Sequence, residues 1–234
     1  MNKALEDGRA SFTLALFYCM KNIRYIVIFL LCILSFRSDA LEYKIFDHKF
    51  EAALPPNYCT LDENTDFYKF NKLVMSRSIK NYFIASDCDN IKKLHEGKIK
   101  SLPHYIAFEQ VGIDGKFKKF KFGRYVYLKL ITAFKPKSMK KLTNRVNEKL
   151  KNNSLDYKVD NLDYEVGTVT NKFASYKGVA SLSYDGKSRK VVILALSTLV
   201  TKIPIAIHTY DEDPSEDDIK MSIEELKLLY QSVK

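Results

Sequence analysis

The residue pattern predicts an α+β fold: a single domain built on a mostly antiparallel sheet, with helices packed on it and a β-hairpin and long helix closing the chain. Two observations carry this. Asp185-Gly186 separates the β-type runs 179–184 and 191–198, which is a strong tight-hairpin signal. Ser215 and Asp218 then form a capping-box pattern ahead of Ile219, Ile223, Leu226 and Leu229 or Tyr230, which recur at helical spacing.

Taken in order, the chain starts with an export signal. From Met20, Lys21 and Arg24 precede ten uninterrupted apolar residues, 25–34. That is the length of a signal-peptide core and short of the ~20 residues a bilayer-spanning helix needs. Ser38 and Ala40 place small side chains where a signal peptidase inspects them, so cleavage is expected after Ala40, with Arg37 the one residue out of pattern. Residues 1–19 then read as an extension from a mis-assigned start, 20–40 as the signal peptide and 41–234 as one exported domain, periplasmic or secreted. The alternative is an anchor formed by an uncleaved amino-terminal helix. Cleavage removes Cys19 and Cys32 and leaves Cys59 and Cys88, an even pair that in an oxidising compartment reads as one disulfide. The 28 residues between them are far too many for a redox pair, which usually spaces its cysteines by two.

Residues 41–54 alternate as an opening strand and stop at Pro55-Pro56, which cannot donate to a ladder. Asn64, Thr65 or Asp66 caps a helix with Phe67, Phe70, Val74 and Met75 on one face. A strand at 82–86, a short helix at 91–95 stopped by Gly97, and a strand at 105–111 closed by Asp114-Gly115 follow. Residues 116–122, Lys-Phe-Lys-Lys-Phe-Lys-Phe, suit an edge strand whose lysines discourage edge pairing. Residues 138–151 form an amphipathic helix carrying Leu142, Val146 and Leu150. Strands are expected at 166–170, 179–184, 191–198 and 204–210; residues 191–196 are apolar on both faces and read as the central strand of a covered sheet.

This order of elements is similar to the PsbP-like fold. Pro55, Pro56, Tyr58 and Cys59, with the later Asp87 and Cys88, also resemble a poorly characterised family of exported proteobacterial proteins. PsbP-like proteins are lumenal accessory factors, so the resemblance implies binding more than catalysis.

Composition narrows the function further. The net charge is +10, but 31 of the 38 basic residues are lysine, whereas planar two-pronged phosphate and base recognition is typically the work of arginine. A nucleic-acid partner is therefore disfavoured. The basic side chains concentrate in residues 116–151, with thirteen Lys or Arg against the single acid Glu148. Lys116, Lys118, Lys119, Lys121, Arg124, Lys135, Lys137, Lys140 and Lys141, interleaved with Phe117, Phe120, Phe122 and Tyr125, mark either a solvated face or a docking surface for anionic membrane or an acidic protein.

No metal or cofactor is expected. His48, His95, His104 and His208 are never three or four residues from another His or Cys. His208 reads as a hydrogen-bonded core or surface histidine. The acidic run Asp211, Glu212, Asp213, Glu216, Asp217 and Asp218 lacks the central glycine of a calcium loop and reads as helix capping plus a solvated loop. No nucleophile elbow or phosphate-cradling loop occurs. The expected function is a non-enzymatic binding or accessory role; the alternative is a hydrolase-like enzyme with a dispersed site around His104 or His208.

Overall fold

The computed structural model describes residues 40–74, 79–113, 116–133, 139–153, 157–184 and 186–233. The expected leader up to Asp39 and the extension before it lie outside the described residues, as do Met75, Asp114-Gly115, Asp185, Lys135 and Lys137. Ala40 opens β1 (Ala40–Ile45), which pairs with β2 (His48–Ala53) from Ala40↔Ala53 to Ile45↔His48. The alternation over 41–54 therefore belongs to a hairpin and not to one strand. Phe46, at φ 57°, lets the chain reverse between Ile45 and His48.

A separate sheet holds β3 (Tyr58–Thr60), β4 (Ile79–Asp87), β5 (His104–Val111), β6 (Tyr157–Val169), β7 (Ala174–Tyr184), β8 (Lys187–Val200) and β9 (Ile203–Glu212). Their order is β3-β4-β5-β9-β8-β7-β6, antiparallel throughout. The meander from β6 to β9 thus inserts its last strand beside β5. The centre is β9 and not residues 191–196, where buried positions alternate with half-buried ones; in β5 every residue from Tyr105 to Gln110 is buried. Gly186 sits at φ 70°, as the tight β7–β8 turn requires.

One face of the sheet presents Ile106, Phe108, Val192, Ile205 and Ile207. The β1–β2 hairpin covers it with Ile45 and Phe50, and helix α5 (Glu216–Ser232) with Leu226 and Leu229. The capping box forms: Ser215 Oγ accepts from the Asp218 N–H, and Asp218 Oδ2 accepts from the Ser215 N–H at 2.8 Å. The buried stripe of α5 is Ser222, Glu225, Leu226 and Leu229, whereas Ile223, expected in the stripe, is 40% exposed.

The opposite face is covered in two places. Helices α1 (Asp66–Val74), α2 (Cys88–His95) and α4 (Met139–Asn152) pack Phe67, Phe70, Ile91 and Leu150 against Ile84, Tyr105 and Ala107. Helix α3 (Arg124–Ala133) packs Tyr127 and Leu128 against Ala174 and Leu199. The sequence did not announce α3, and the segment before it is not the edge strand expected there. Apart from one bridge, Ile113↔Lys116, its described residues are irregular. The aromatic spacing explains why: Phe117, Phe120 and Phe122 do not keep a period of two, so only Phe120 is buried, its N–H donating to Lys202 O at 2.7 Å.

Cys59 and Cys88 form a disulfide with Cα atoms 4.9 Å apart. It fastens the three-residue edge strand β3 to the start of α2, where Asp87 caps the helix by accepting from the Asp89 N–H at 2.9 Å. The crosslink spans 29 residues, which in the chain-entropy picture contributes about 3–4 kcal/mol. Replacing both cysteines by serine should lower the urea unfolding free energy by about that amount. A loss below about 1 kcal/mol would mean β3 is held without the bond.

Candidate functional site

The most strongly coupled side chains lie where β3, β5, β9 and α5 meet. His104 of β5 stands directly opposite Asp211 of β9, so both point to the face that α5 covers. One helical turn of α5 brings Ser222 and Glu225 over them. His104 Nδ1 lies 2.5 Å from Asp211 Oδ1, and Nε2 lies 2.7 Å from Glu225 Oε2. The remaining carboxylate oxygens are also filled: Ser222 Oγ donates to Asp211 Oδ2 at 2.8 Å, and Tyr58 Oη donates to Glu225 Oε1 at 2.5 Å. Side-chain exposure is 15% for His104, 3% for Asp211 and 9% for Glu225.

Burial opposes a charge on the imidazole, but its hydrogen bonds to the Asp211 and Glu225 carboxylates and their negative charge outweigh it and raise the His104 pKa to about 9. The ring is thus an imidazolium that donates from both nitrogens. Burial and the Glu225 carboxylate also hold the Tyr58 hydroxyl protonated far above its ordinary range. A general base needs a free lone pair within reach of its substrate. His104 offers none in this arrangement, and what the cluster does is hold four chain segments together.

His208, the other candidate for a dispersed active site, lies on the opposite face and is buried, so the two histidines are not brought together. Its Nε2 approaches Glu109 Oε1 at 3.3 Å, yet without the alignment of a hydrogen bond. The expected core histidine is thus buried, and its Nε2 makes no hydrogen bond. The acidic run also divides. Asp213 and the capping acids are exposed or edge residues, but Asp211 is buried and ligates His104, which corrects the reading of this stretch as only caps and loop. Among the described residues no group of His, Cys, Asp and Glu is arranged to hold a metal ion.

The basic tract is split by the structure. Lys116, Lys118, Lys119, Lys121 and Arg124 run together at the end of the sheet, exposed, on the approach to α3. Lys119 Nζ meets Asp47 Oδ1 of the β1–β2 turn at 2.6 Å, and Arg124 Nε donates to Leu199 O at 2.9 Å. Lys140 and Lys141 sit on α4, which packs near Val159 and Leu182, whereas α3 packs near Ala174 at the other end of β7. The tract is therefore two surfaces and not one. Beside the first, Phe122 is 59%, Tyr125 65% and Leu130 54% exposed.

Two grooves open nearby. One, of about 1010 Å³, runs between α5 and the β7–β8 surface on the face that α5 covers. The other, of about 610 Å³, lies between α1 and the end of α2, lined by Asp62, Asp66, His95 and Tyr157 among others. Neither is lined by a member of the His104 cluster.

No family model matches the chain, and no curated protein does. The solution structure of cyanobacterial PsbP (CyanoP) from Synechocystis sp. PCC 6803 resembles it in fold, with a TM-score of 0.40 at 10% sequence identity, covering 84% of this chain and 92% of that one.

The His104 cluster makes stability depend on pH in a fixed direction. Its folded pKa of about 9 lies above the ordinary 6.5, so the contribution is complete below about pH 6.5 and is lost as pH rises through about 9. Between about pH 6 and about pH 9 the unfolding free energy should fall by about 3 kcal/mol. His104→Gln should flatten that slope and, at about pH 6, cost about 3–5 kcal/mol by leaving two buried carboxylates without their counter-ion. Urea titrations across the range check both; a slope unchanged in the variant would remove His104 as its source.

Proposed function

We propose that this chain is an exported, non-enzymatic binding or accessory protein, periplasmic or secreted, that docks on anionic membrane through residues 116–130. The observation that carries the reading is what is left uncovered there. Phe117, Phe122, Tyr125, Val126 and Leu130 are five of the ten large apolar side chains exposed among the described residues. They alternate along the chain with Lys116, Lys118, Lys119, Lys121, Arg124 and Lys129.

A run of lysines alone is satisfied by water, and a lone exposed apolar residue is ordinary. Interleaved, the two suit the boundary between lipid head groups and acyl chains, where aromatic rings enter and cations meet lipid phosphate. Phe46, exposed at the β1–β2 turn beside the Asp47–Lys119 pair, adds to the same end of the molecule. Export rests on the leader reading of residues 20–40. The non-catalytic part is supported by the engagement of both His104 nitrogens.

The purified chain should co-sediment with phosphatidylglycerol–phosphatidylcholine vesicles at low salt, and added salt should release it. Each lysine at such a surface is worth about 1 kcal/mol, so Lys118→Glu, Lys119→Glu and Lys121→Glu together should weaken binding by about a hundredfold or more. Phe122→Ser with Tyr125→Ser should weaken it as well. An acidic protein as the true partner would show as vesicle binding that never occurs at low salt, and the membrane reading would then be wrong.

A further inference from the structure

A second binding feature lies on the other side of the sheet end, in the groove of about 1010 Å³ beside α5. Its floor is Leu194, Leu196 and Val200 of β8, and its walls include Phe173, Ile223 and Tyr230. The Phe173 and Tyr230 rings meet edge to face at 5.3 Å and close one end. Ile223 falls on the helical period of the α5 core, yet it is left 40% exposed at this groove. An apolar position at core spacing left partly exposed at a groove is what an apolar occupant would cover.

Among the described residues, the charged side chains that line the groove are all of one sign: Arg124, Lys172, Lys177 and Lys227. Lys227 shares its charge with Glu224 at 2.6 Å, and Arg124 Nε is bound to Leu199 O. Lys172 and Lys177 are both exposed, with Glu165 across from Lys177 in the β6–β7 register. From this charge complementarity over an apolar floor, we infer that the groove binds a single-chain amphipathic anion, a long-chain fatty carboxylate, with the acyl chain along β8 and α5 and the carboxylate among the basic side chains.

The dimensions agree with that class. Small-molecule sites occupy about 300–1,000 Å³ and are mostly apolar with a few placed polar groups. Neither the groove nor its occupant requires a bilayer, so this inference stands apart from the docking of residues 116–130. The two share only Arg124, at the border of both surfaces.

The test is titration of the purified chain with laurate below its micellar concentration, followed by calorimetry. Saturable binding with a negative heat-capacity change is expected. Dodecanol, which has the chain without the charge, should bind about tenfold more weakly or worse. Ile223→Glu places a carboxylate at the groove on an exposed position, and Lys172→Glu with Lys177→Glu reverses two of its cations. Each should weaken laurate by about tenfold or more while leaving the melting temperature nearly unchanged. Absence of laurate binding by the folded chain, or equal binding by wild type and both variants, would overturn the assignment. Vesicle sedimentation of the same variants separates the two surfaces: Ile223→Glu should still bind vesicles.

Discussion

An imidazolium held between two buried carboxylates sets the geometry around it. Apolar contact between α5 and the sheet is non-directional, so Leu226 and Leu229 would be nearly as well buried with the helix rotated or shifted slightly. The His104 contacts are directional and charge-assisted, and every carboxylate oxygen in the cluster has its donor. Glu225 can meet His104 and Tyr58 together only at one register of α5 against β3 and β5. A fully satisfied polar network in a low-dielectric site gives one arrangement where an apolar stripe allows several.

The same cluster explains why a three-residue strand persists at the sheet edge. β3 pairs with β4 over Tyr58↔Asp87 to Thr60↔Ala85, too few rungs to hold an edge alone. Tyr58 ties it to α5, Cys59 to α2, and Asn57 O accepts from the Cys88 N–H at 2.8 Å. The Tyr-Cys and Asp-Cys pairs that the sequence displays are thus parts of one structural clamp. The clamp is at the Asp211 end of β9, while Thr201 and Lys202, which turn β8 into β9, are at the other, about 30 Å away by strand rise. The exposed aromatic residues and the basic groove gather near that second end. Fully satisfied polarity and uncovered apolar surface are therefore kept apart along the same strands.

Elements written in strong local signals were legible. The capping box at Ser215, the Asp-Gly hairpin, the helix after Cys59 and the disulfide each rest on residues near one another or on a count of two. Elements lacking such signals were not. The turns at Phe46-Asp47 and Thr201-Lys202 use positive φ at non-glycine residues, so the β1–β2 hairpin reads as one strand. α3 starts at Arg124 without an acidic first turn and keeps Tyr125, Val126 and Leu130 outside, which hides its helical period among lysines and aromatics. Strand order was beyond local reading altogether. That β9 and not β8 holds the centre depends on β5 accepting β9 as its neighbour, a pairing between residues about a hundred positions apart.

The cluster was the least legible part, for a physical reason. A histidine, an aspartate and a glutamate far apart in sequence each look like surface residues, because an isolated charge in an interior is too costly to expect there. The cost disappears only when the partners are present together, and their meeting is a property of the sheet register and the helix position, not of any one segment. Asp211 shows this best. It stands in a run of acids and next to exposed capping residues, and only the strand period separates it from them, since Ile205, Ile207 and Thr209 precede it on the same face of β9. Extending that period two residues into an acidic run points an aspartate at the core, and an aspartate so placed requires a cation opposite it. His104, directly across in β5, is that cation.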